Sequence, residues 1–177
     1  LPHCRSLDAK DPLRTLRDHF ILPEGTIYLD GNSLGAMPKK AATRVAQVVT
    51  QECGQGLIGS WNSAGWFNLP QRLGDRIARL IGAGAQEVVA TDSTSINLYK
   101  VLSAALSISS KDMPPRKIVL SEHSNFPTDL YIAEGLCKER GFDLLLVEPD
   151  QIASSLTDQI AVLLLTHVNY RTGAMLD

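Results

Sequence analysis

From residue 87 onward, short strand-type segments alternate with helical patterns, and this alternation restricts the fold more than any other feature of the chain. Runs at 87–91 and 117–121 lead into helical stretches at 94–107 and 127–140, Gly141 stands where the second helix should stop, and 143–148 and 160–166 are continuous apolar segments. A strand that is apolar at every position, rather than at every second one, is buried on both faces, as in a parallel sheet covered by helices. The pattern predicts an α/β domain.

The first half reads differently. Asp11-Pro12 is a cap and first-turn signal followed by the stripe Leu13, Leu16, Phe20, and Thr26–Leu29 reads as a short strand before the turn-rich loop Asp30–Gly35. Pro38 opens a helix ending near Cys53-Gly54, and a loop rich in Gly, Ser, Asn and Trp runs to about Asn68. Leu69, Leu73, Ile77, Leu80 and Ile81 then form a helical stripe closed by Gly82. The expected architecture is a helical amino-terminal arm ahead of the α/β domain.

Composition narrows the function classes. The chain has 177 residues, 44% of them hydrophobic and 20% charged, with a net charge of −2 and no basic cluster, which argues against nucleic acid and anionic membrane as partners. The longest apolar run, Ile160–Leu165, is far short of the ~20 residues that span a bilayer. Three cysteines and four histidines stand far apart, without the close pairs of a metal site, so no metal is expected and reduced thiols in a cytoplasm are the default. Small molecules are the expected partners.

Two strand ends carry the chemistry. After the run 117–121 comes Glu122-His123-Ser124-Asn125-Phe126-Pro127-Thr128-Asp129, which fixes a ring and a carboxylate three residues apart where open α/β sheets bind ligands. A planar face plus an acid suits a flat cationic heteroaromatic ring. Upstream, Thr91-Asp92-Ser93-Thr94-Ser95 runs into a helix, offering free N–H groups, the positive end of the helix dipole and several hydroxyls to a phosphate. Each has a plainer reading: Ser or Thr as a helix cap, Phe126 as core, Pro127 as first helical residue, Asp129 as a first-turn acid. Together they suggest pyridoxal phosphate. The tryptophans of Gly59–Trp66 are read as either a lid on the core or a ligand loop.

Five stretches in register resemble one family: Ile27–Gly35, Ser60–Trp66, Thr94–Leu98, Ser124–Tyr131 and Thr166–Tyr170. The chain resembles the bacterial kynureninases, which are fold type I pyridoxal-phosphate enzymes, over essentially its whole length. The resemblance implies an aminotransferase-like large domain, with residues 1–45 in the arm and small domain and 46–177 forming the first part of the cofactor-binding domain. It implies a cytoplasmic homodimer that hydrolyses L-kynurenine, and 3-hydroxykynurenine as a further candidate, to anthranilate and L-alanine in tryptophan catabolism, with the cationic ring of the cofactor as electron sink.

Residue by residue, the resemblance implies that Ser93 and Thr94 hold the phosphate, Phe126 stacks on the pyridine ring, Asp129 lies by its nitrogen with Pro127 and Thr128 shaping that wall, and Thr166 adds a polar contact. Asn32 and Ser33 border the substrate, and Trp61 selects between rings with and without a hydroxyl. The family's Schiff-base lysine has no counterpart here, since Lys100, Lys111, Lys117 and Lys138 lie in other contexts. The chain is therefore expected to be the first part of a larger protein, inactive alone. Two other readings stay open at this point: a different fold type I lyase of the cysteine-desulfurase kind, and a non-catalytic α/β fragment that binds some other phosphate.

Overall fold

A computed structural model describes residues 1–176 and divides the chain into two compact units, Leu1–Val89 and Ala90–Asp177. Mixed helix and sheet is observed, with the α/β alternation confined to the second unit.

In the second unit, helix α5 (Thr94–Ser109) precedes strand β3 (Ile118–Glu122), helix α6 (Pro127–Arg140), strand β4 (Asp143–Val147), the short helix α7 (Ile152–Ser155) and strand β5 (Ile160–Leu163). The three strands are parallel in the order β4-β3-β5, so the middle strand is the one that leads into the Phe126 loop. Its side chains alternate between two cores. Val119 packs with Leu102, Leu106, Ala133, Leu136, Cys137 and Phe142 under α5 and α6, whereas Leu120 packs with Val147, Ile152 and Ile160 under α7. That two-sided burial is what an unbroken apolar run implies. Helix α6 begins at Pro127, whose missing N–H costs nothing in the first turn, and ends at Gly141, where φ is +69° and a side chain would be strained.

The first unit contains α1 (Pro2–Lys10), a 3₁₀ turn at Arg14–His19, the two-residue strands β1 (Phe20–Ile21) and β2 (Met37–Pro38), α2 (Lys39–Gln47), α3 (Ser60–Ser63) and α4 (Leu69–Ile81). Helix α4 stops at Gly82, with φ +74°. At Gly74 a Cβ would lie 1.9 Å from the Val88 carbonyl, so the chain passes there only because no side chain is present. Few side chains of this unit are buried, and Ile58, Phe67 and Leu80 are open to solvent.

Several expectations are corrected. The segment 87–91 is not a strand: among the described residues no neighbour pairs with it, and side chains take its carbonyls, Gln71 donating to Val88 (3.0 Å) and Asn97 to Thr91 (2.7 Å). Thr26–Leu29 is likewise unpaired, because β1 pairs with β2 instead. The stripe at 13–20 folds as a 3₁₀ turn, α1 was not anticipated, and the helix from Pro38 gives way after Gln47 to a π-helical turn at Val48–Cys53. The run 160–166 pairs only as far as Leu163 as a strand, after which the backbone turns toward the loop carrying Thr166.

Candidate cofactor site

Three segments of the second unit meet at the carboxyl ends of the parallel strands. They are the first turn of α5, the first turn of α6 and the residues beyond β5. Between them lies a hollow of about 320 Å³ lined by Thr94, Ser95, Phe126, Thr128, Asp129 and Thr166, within the size range of small-ligand sites. Two helix amino-termini therefore supply unpaired N–H groups and positive dipole ends to one cavity.

At the α5 end the hydroxyls divide their work. Ser93 is the cap, its Oγ accepting from the Ile96 N–H at 3.4 Å, and it does not line the hollow. Thr94 and Ser95 do, and the Thr94 hydroxyl bonds to no protein group among the described residues. Ser95 ends the hydroxyl-rich stretch Thr91–Ser95 but is not among the residues the resemblance singles out, Ser93 and Thr94; the helix geometry turns it inward. Asp92 does not add negative charge freely here, because Lys100 and then Thr91 bond it and hold its carboxyl below the usual range. We expect Thr94→Val in the complete protein to remove about 1.5–3 kcal/mol of binding to a charged acceptor. Thermal unfolding with and without pyridoxal phosphate checks this: the loss should appear only in the bound form, since Ser93 keeps the cap.

At the α6 end, Phe126 is 43% exposed and packs edge-on against Tyr170, with ring centroids 4.9 Å apart at 66°. Asp129, in the first turn of α6, is half-buried, and burial pushes its carboxyl above the ordinary range. A cation facing it would reverse that shift. Pro127 starts the helix and does not line the hollow.

The residues assigned to substrate lie in the first unit. Asn32 and Ser33 are exposed in a turn closed by the Ser33 and Leu34 N–H groups, which both donate to the Asp30 carbonyl at 3.2 Å. Trp61 is 49% exposed and meets Trp66 edge-on at 6.5 Å. Trp66 donates to Glu52 (2.7 Å), which Arg44 also bonds, so Trp66 is anchored while the Trp61 indole N–H bonds to no protein group among the described residues. The bond from Arg44, and after it the bond from Trp66, holds the Glu52 carboxyl below its ordinary range.

No family model matches the chain. Individual relatives do. It is 56% identical over 177 residues to the kynureninase of Pseudomonas fluorescens, and 55% identical over 175 residues to those of Burkholderia mallei (strain SAVP1) and Burkholderia pseudomallei (strain K96243). Along nearly its whole length the chain is similar to kynureninases. The matches cover 97–98% of this chain but 42% of each kynureninase, so the chain spans about two fifths of the length of these curated relatives. Among the described residues, no helix is long and apolar enough to cross a membrane, and no three His, Cys, Asp or Glu side chains gather as a metal site would require.

Proposed function

We propose that this chain is the portion of a kynureninase that grips pyridoxal phosphate, in an enzyme that hydrolyses L-kynurenine to anthranilate and L-alanine. One observation carries the reading. The hollow places an exposed ring, a carboxyl and a hydroxyl-bearing helix start around a single cavity, and those groups match the ring face, the ring nitrogen and the phosphate of that cofactor. Thr94 and Ser95 would hold the phosphate at the α5 start, with Ser93 behind them as cap. Phe126 would lie against the ring, Asp129 would meet its nitrogen, and Thr128 and Thr166 would complete the walls, with Pro127 setting the turn that aims them.

When bound, the cofactor supplies an electron sink for the bonds at the substrate's Cα. The chain's own task is to orient the ring and keep a negative charge beside its nitrogen. The lysine that would join the cofactor covalently belongs, in this proposal, to the remainder of the enzyme: Lys100 is engaged with Asp92, and the Lys117 ammonium lies 4.9 Å from the centre of the Phe142 ring. The wider architecture is an aminotransferase-like large domain from residue 46 onward, with residues 1–45 in the arm and small domain, in a cytoplasmic homodimer. The open apolar side chains of the first unit, Ile58, Phe67 and Leu80, suit such burial.

The test is a titration of the complete protein with pyridoxal phosphate, followed by an assay for anthranilate. A shifted cofactor absorbance together with anthranilate release is expected, and a protein that binds no cofactor would refute the reading. Phe126→Leu keeps apolar area but loses stacking worth about 0.5–1.5 kcal/mol, so the cofactor dissociation constant should rise about threefold to tenfold. Equal constants would return Phe126 to a packing role.

A further inference from the structure

Behind the hollow, a chain of side-chain hydrogen bonds runs from Thr166 to the backbone just beyond β5. Thr166 Oγ1 donates to Asn125 Oδ1 (2.6 Å), which also accepts from the Phe126 N–H (2.7 Å). Asn125 Nδ2 donates to Ser121 Oγ (3.0 Å), and Ser121 Oγ donates to the Leu164 carbonyl (2.7 Å). Asn125 is 4% exposed and Ser121 is fully buried, so the middle of the chain is shielded from water, while Thr166 is half-buried at the cavity wall.

The direction of the chain is forced by its two backbone ends. An N–H only donates, so the Asn125 oxygen must face Phe126, and the atom facing Thr166 is that same oxygen. A carbonyl only accepts, so the Ser121 proton goes to Leu164, and Ser121 must accept from Asn125. Thr166 is left one arrangement, with its hydroxyl proton spent on Asn125 and its remaining lone pairs available to the cavity.

Resting on the reading of the cavity as a cofactor site, we propose that Asn125 is a positioning residue. It holds the backbone that carries Phe126 and makes Thr166 a one-way acceptor, so that the group opposite Thr166 in the bound state is a hydrogen-bond donor and not a phosphate oxygen. Thr166 then sorts the orientation of the bound molecule: a donor on the ring system is welcomed at this wall, and the anionic end is turned toward α5.

The experiment is a double-mutant cycle on the dissociation constant of pyridoxal phosphate, in the complete enzyme, with apoprotein thermal unfolding measured alongside. Asn125→Ala should weaken binding about tenfold and Thr166→Val about fivefold, and the double variant should be no worse than Asn125→Ala within about twofold, because a threonine released by Asn125→Ala can no longer present a fixed acceptor. Ser121→Ala, one link further back, reads the same chain if Asn125→Ala fails to fold, and should weaken binding about two- to fivefold in the Thr166 background but not beside Thr166→Val. A cofactor constant unchanged in every folded variant, with only apoprotein melting lowered, would make Asn125 purely structural and overturn the inference. Independent, multiplying effects of Asn125→Ala and Thr166→Val would also overturn it. A wild-type protein that binds no pyridoxal phosphate overturns the proposed function and this inference with it, whereas wild-type binding with unaffected variants overturns the inference alone.

Discussion

Asp129→Asn in the complete enzyme should lower kcat by about tenfold to a thousandfold while the cofactor still binds. An opposite charge within contact distance shifts a pKa by about 1–3 units, and the electron sink requires a protonated ring nitrogen, so loss of the carboxylate reduces the competent fraction by that factor. The pH dependence adds a second signature. Burial holds the Asp129 carboxyl above the ordinary range in the empty protein, so it favours the folded apoprotein below that range and loses this contribution as pH rises through the elevated pKa. A cationic ring prefers the ionised form. Cofactor affinity should therefore climb with pH through the Asp129 titration, and the Asp129→Asn variant should show a flatter slope. Binding curves across acidic pH for both proteins check it, and identical slopes would place the ring nitrogen elsewhere.

Trp61→His should move the ratio of kcat/KM for 3-hydroxykynurenine over kynurenine upward by about ten- to a hundredfold. An indole near the aryl group fills the space a ring hydroxyl needs and offers a single donor, whereas imidazole is smaller and both donates and accepts. The magnitude is bounded because an apolar wall discriminates weakly against one added hydroxyl. The loop should survive the change, since Trp66 and not Trp61 is anchored on Glu52. Steady-state kinetics on both substrates decides the matter: if both values fall together with their ratio constant, Trp61 is a lid residue without a role in selection.

The similarity to kynureninases and the local geometry support one another at the α6 start, where residues that carry the resemblance, Phe126, Thr128 and Asp129, form one wall of the cavity. They bear on the first unit less directly. Asn32, Ser33 and Trp61 were assigned through resemblance, and their side chains belong to a unit whose surface is largely open, so the substrate roles rest on the kinetics just described.

The sequence by itself determined the helices α4, α5 and α6 and the strands β3 and β4, because each is specified locally: a 3.6-residue stripe or an unbroken apolar run, Pro127 to start a helix, Gly82 and Gly141 to end one. It also determined the chemistry on offer, a ring and an acid three residues apart and a hydroxyl-rich helix start. What only the tertiary structure decided were matters of pairing and direction. The segment 87–91 has the β-branched centre of a strand, Val88-Val89, but no partner among the described residues, and strand formation requires a neighbour that no local pattern supplies. Which hydroxyl caps α5 and which faces the cavity depends on the rotation of the first helical turn, so Ser93, expected at the phosphate, is the cap, and Ser95 joins Thr94 at the cavity. The line of hydrogen bonds from Thr166 through Asn125 and Ser121 to Leu164 joins residues 41 and 43 positions apart, and its polarity exists only because β5 lies beside β3.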